Sequence, residues 1–131
     1  MTHQSTHYKD WLIQIYYNVR SKNAEYLIDE LMEIGCSGKE LERVNEVLTN
    51  MQFNQGLTYA NMDTKEVIII VGEADSKKEF LDTVMHELYH CSMFITIKDG
   101  SSDPEYPAYV LGHLTQKVYR TLHSFLCEKC H

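Results

Sequence analysis

The chain has 131 residues, 44% of them apolar and 24% charged, which is enough to build one compact domain with its own core. Twelve basic against nineteen acidic residues leave a net charge of −7 with no basic block, a balance that argues against a nucleic-acid partner. The apolar runs are far shorter than the roughly 20 residues that span a bilayer, and the polar start Met1 to His7 has no signal-peptide core, so no membrane partner and a cytoplasmic location are expected.

From Trp11 to Val19 the pattern alternates. Trp11, Ile13, Ile15, Tyr17 and Val19 fall on one face, which predicts a strand, with a helix beginning near Ser5 as the competing reading. Two helices follow. Residues 23–34 carry Leu27, Leu31 and Ile34 before Gly35 as a stop, and residues 37–50 open on an S-x-x-E capping box, Ser37 and Glu40. A helix pair joined by a short turn invites a DNA-binding reading. The second helix, however, presents Glu40, Glu42 and Glu46 against only Lys39 and Arg43, the wrong sign for a phosphate-lined groove. Residues 56–61 and 66–72 then predict a hairpin turning at 62–65, with Val67 to Val71 as a strand buried on both faces. The edge of that sheet, at residues 57–61, is where an extended peptide could add as a further strand.

The stretch from Ser76 to Ile97 predicts one long helix. Ser76 and Glu79 form another capping box, and Phe80, Val84, Leu88, Cys91 and Ile95 recur at helical spacing. On it lies His86-Glu87-Leu88-Tyr89-His90. Two histidines four apart share a helix face, so both rings can reach one metal ion, with zinc the expected ion. Glu87 is rotated about 100° from His86, beside the ion, where a carboxylate can accept a proton from an activated water. Asp82, one turn earlier, can orient the His86 ring or stand as a solvated charge. Histidine pairs on helices are also commonly plain half-exposed polar residues, and an H-E-x-x-H pentapeptide can arise by chance. Its coincidence with an independently predicted helix favours the metal.

A catalytic zinc site usually takes three protein ligands and keeps one position open. Gly100 predicts the end of the motif helix, and Asp103-Pro104-Glu105 predicts the start of the last one, with Asp103 as cap. After His90 the helix rises roughly 10 Å more, while residues 98–104 can span up to about 23 Å, so Glu105 can double back beside His90. With these residues in place, the chain resembles the gluzincin metallopeptidases, in which H-E-x-x-H is followed by a glutamate on the next helix. The segment Glu105 to Gly112 is similar to the E-x-x-A-Y-x-x-G stretch of small phage- and prophage-associated metallopeptidases. Over about residues 57–126 the resemblance implies an α+β, zincin-like βααββαα fold, with zinc on His86, His90 and Glu105, Glu87 as general base, and a peptide or protein as substrate. Met93 and Thr96 stand where metzincins would need glycine and histidine, which disfavours that branch.

The last helix is predicted from Pro104 to about Leu126, with Tyr109 and Gly112 on the side of Glu105 and the glycine allowing close helix approach. Tyr109 or His113 could stabilise an oxyanion, although buried aromatics and partly buried histidines are commoner. Cys36, Cys91, Cys127 and Cys130 are expected to be thiols. Cys127 to His131 spells C-x-x-C-H, which at a chain end reads as an idle tail before a haem or half zinc site. Two other functional classes stay open: a catalytically idle zinc-stabilised binding or regulatory module, and a small nucleic-acid-binding protein.

Overall fold

A computed structural model describes residues 1–127 of the chain. It is an α+β fold of four helices and a four-stranded mixed sheet: β1 (Thr2–Tyr8), β2 (Trp11–Val19), α1 (Ala24–Glu33), α2 (Gly38–Thr49), β3 (Gly56–Asn61), β4 (Glu66–Gly72), α3 (Lys77–Asp99) and α4 (Tyr106–Leu126). The sheet order is β1-β2-β4-β3, with β2 and β4 parallel at the centre and the outer strands antiparallel to their neighbours.

The side chains of β4 explain the layering. Val67, Ile69 and Val71 pack on one face beneath α3 and α4, with Val84, Leu88, Cys91, Val110, Leu114 and Val118. Ile68 and Ile70 pack on the other beneath α1 and α2, with Leu27, Leu31, Val44 and Leu48. A strand apolar on both faces therefore sits in the middle of three layers, as continuous apolar runs require. The pentapeptide helix is fixed at both ends. The Ser76 hydroxyl accepts from the Glu79 N–H at 3.1 Å, and Gly100 closes the helix in the left-handed region at φ 69°.

Four expectations are corrected. The N-terminal segment is an edge strand, so the order is ββααββαα. Its residues are mostly polar, yet every one from Thr2 to Tyr8 pairs with β2, and Gln4 Nε2 donates to the Lys117 carbonyl of α4 at 3.3 Å. Val19 lies on the α1/α2 face, not with Trp11 to Tyr17, because the register shifts between Tyr16 and Val19, where Asn18 takes φ 57°. A bulge of one residue flips every side chain beyond it. Ser37 caps α2 through its backbone only, without a side-chain bond. The last helix begins at Tyr106, two residues later than predicted. Asp103 Oδ1 accepts the Glu105 N–H at 3.0 Å and holds 103–105 as a turn, leaving Pro107 as the proline of the first helical turn.

Candidate metal centre

The two motif histidines converge. His86 and His90 are exposed on α3, and their Nε2 atoms lie 3.1 Å apart with the rings edge to face. Zinc–nitrogen bonds are about 2.0–2.1 Å, so an ion bonded to both nitrogens would subtend about 98°, near the roughly 109° of a tetrahedron. The same spacing allows one imidazole N–H to donate to the other ring. Their donor chemistry fits a zinc ion as two of its ligands.

Glu87 points a different way, towards the sheet. It is only 5% exposed, and its Oε1 accepts from the Thr58 hydroxyl on β3 at 2.8 Å. The carboxylate is thus held by one neutral donor on β3, while the residue also lines the space beside the histidines. The backbone approaches closely here because Gly56 has no side chain: a Cβ there would come within 3.0 Å of Glu87 Cγ.

The histidines and Glu87 border an open groove with two adjoining depressions of about 340 Å³ each. Its floor is the outer edge of β3. The Gly72 N–H donates to the Gln55 carbonyl at 2.7 Å, so the alternating ladder turns residues 55, 57, 59 and 61 towards β4 and leaves the backbone groups of Gly56, Thr58 and Ala60 facing outward. One wall is α3, with Asp82 in one depression and His90 and Phe94 in the other; the opposite wall is α2, with Val47, then Arg43 and Glu40. A larger cavity, about 550 Å³, lies elsewhere, beyond the carboxyl ends of β2 and β4. Its charged lining, Arg20 and Glu73, is already joined in an ion pair at 2.5 Å, so the chemistry concentrates in the smaller groove.

The predicted residues of α4 lie on the other flank of α3. That helix is anchored over β1, the opposite edge of the sheet, through the Gln4–Lys117 bond and the Tyr8–His113 ring contact at 6.1 Å. Its first turn is strapped there as well: the Tyr106 hydroxyl bonds to Asp99, and Lys9 Nζ donates to Tyr106 at 3.2 Å. The bond to Asp99 raises the Tyr106 hydroxyl above its ordinary value. Glu105 is therefore exposed beside this strap and is not brought to the histidines. Among the described residues, no three His, Cys, Asp or Glu side chains are gathered closely enough to hold a metal. Tyr109 is 65% exposed, and neither it nor His113 lines the groove. Gly112 also departs from expectation: a Cβ there would meet nothing within 4 Å, so it is not a helix–helix contact.

Sequence reading placed residues 57–61 at the edge open to a peptide but missed the bond from Thr58 to Glu87, the close approach at Gly56 and the α2 wall. Alternation along β3 could have placed Thr58 and Gly56 on one face, but nothing local shows that this face meets Glu87. Cys36 and Cys91 are buried thiols, and burial pushes Cys91 up to about 12. The last residues of the C-x-x-C-H tail, 128–131, lie outside the described residues. No helix among the described residues is long and apolar enough to cross a membrane. Comparison with protein-family models, curated proteins and solved structures finds no match.

Proposed function

We propose that the chain is a minimal zinc-dependent peptidase, acting on an extended peptide laid in the groove along β3. One observation carries this reading: His86 and His90 meet at ligand spacing on the rim of a groove that Glu87, held by Thr58, also lines. Zinc held by the two histidines would supply Lewis acidity and make a neighbouring water easier to deprotonate. Glu87 would take that proton, with Thr58 fixing its carboxylate plane so that the accepting oxygen stays in the groove. The outward N–H and C=O groups of Gly56, Thr58 and Ala60 would hold the substrate backbone by strand addition, which positions a peptide bond without selecting its sequence.

A second reading is a zinc-stabilised binding module without catalysis. It is favoured by the positions of Tyr109 and His113, which leave the groove without the electrophile expected from α4. Mixed short peptides and unfolded proteins, incubated with zinc-loaded protein and with the Glu87→Gln variant, separate the two. Selective cleavage that disappears in Glu87→Gln supports the peptidase; the absence of cleavage across broad panels, with zinc bound and peptides retained, supports the module.

A further inference from the structure

This inference rests on the zinc reading above and concerns its missing ligand. Two imidazoles do not hold zinc tightly, and a third protein donor is needed to make the site stable. The carboxylates near the pair can be taken in turn. Asp82 shares a depression with His86, but it lies six residues, about 9 Å along the helix axis, before the midpoint of the two histidines, which is beyond the reach of its short side chain. Glu87 is turned into the sheet and engaged by Thr58. Glu105 sits on the far flank of α3, beside the strap to β1.

Glu40 is different. It lies in the first turn of α2 and lines the same depression as His86 and His90, on the wall the exposed rings face. Its only charged partner among the described residues is Arg43, at 3.6 Å, with both side chains more than half exposed, a contact worth little and readily exchanged. No side-chain capping bond ties down this end of α2. Among the described residues no third ligand stands at the pair, so a rotamer change would have to bring this long, solvated carboxylate from the same depression to the ion.

We propose that Glu40, not a residue of α4, completes the zinc site. The ion would then bridge α2 and α3 across the edge of β3. Arg43 would be released to face the groove as its one permanent cation among the lining residues, opposite Glu87. The ligand set would be drawn from both sides of the sheet, a placement that no spacing rule around the pentapeptide anticipates.

The test is zinc affinity, read by competition with a chromogenic chelator, for the intact protein and for Glu40→Gln, Glu105→Gln and Glu40→His. Far-ultraviolet circular dichroism confirms that each variant is folded, which an exposed position should permit. The expected result is a loss of at least about tenfold in Glu40→Gln, recovery in Glu40→His because a donor is restored, and affinity within about twofold of the parent in Glu105→Gln. Unchanged affinity in Glu40→Gln overturns the proposal, as does an equal or larger loss in Glu105→Gln. If the parent protein itself takes up no zinc, the metal reading fails, and this assignment with it. Zinc bound by the parent but indifferent to Glu40 removes only the assignment.

Discussion

The contact between β3 and α3 decides where Glu87 sits, and replacing Gly56 by alanine tests it directly. A Cβ at this position would lie 2.9 Å from Thr83 Cγ2, 3.0 Å from Glu87 Cγ and 3.0 Å from the Ile70 carbonyl oxygen. Comfortable carbon contacts begin at about 3.5 Å, so each neighbour must yield by roughly half an ångström. None yields easily. The Thr83 hydroxyl bonds to the Glu79 carbonyl at 3.0 Å, Glu87 is held by Thr58, and the Ile70 carbonyl belongs to a central strand. Overpacking of this kind costs about 1–3 kcal/mol, which for a domain of this size lowers the unfolding midpoint by about 3–15 °C. Gly112→Ala is the opposite case. Its Cβ would meet nothing within 4 Å, and removing a glycine from a helix interior should stabilise by about 0.5–1 kcal/mol. Thermal and urea unfolding followed by circular dichroism measure both. A Gly56→Ala protein as stable as the parent would show that β3 and α3 are not this close. Destabilisation by Gly112→Ala would mean that the glycine does face another helix, as its spacing in the sequence suggests.

Three further outcomes are expected. His86→Ala and His90→Ala should each abolish stoichiometric zinc by elemental analysis, whereas Glu87→Gln should keep it, because Glu87 is engaged by Thr58 and is not a ligand in the proposed set; equal metal in all three would place the site elsewhere. With its folded value pushed up to about 12 from an ordinary 9.0, Cys91 keeps its proton in the native state after the unfolded chain has lost it. The associated stability is complete below pH 9 and is lost as pH rises from 9 towards 12, at up to about 1.4 kcal/mol per pH unit, so pH-dependent urea unfolding should fall more steeply in the parent than in Cys91→Ala. Asn18 holds the bulge at φ 57°, so Asn18→Val should cost about 1–2 kcal/mol and Asn18→Gly little; equal losses in urea unfolding would mean that the asparagine side chain, and not its backbone angle, matters there.

Local chemistry determined much of this protein. The hairpin bounds at 56–61 and 66–72, the strand from Trp11, the capped start of α3 at Ser76 and the convergence of His86 with His90 all follow from interactions within a few residues: side-chain alternation, a hydroxyl reaching the N–H three residues on, two rings one helical turn apart. What lies further apart in the chain was decided by the sheet. β1 is stabilised by its ladder with β2 and not by an apolar pattern of its own, so its polar residues gave no signal. The side of Val19 depends on one left-handed residue, which periodicity cannot see. Chain length allowed Glu105 to reach His90, but β1 and β3 occupy opposite edges of the sheet, so anchoring α4 over β1 carries Glu105 away from the groove along β3. The same order brings Thr58 under Glu87 and sets α2 across from the histidines. These are contacts between residues up to 113 positions apart, fixed by which strands pair and which faces are covered, and no local rule carries that information.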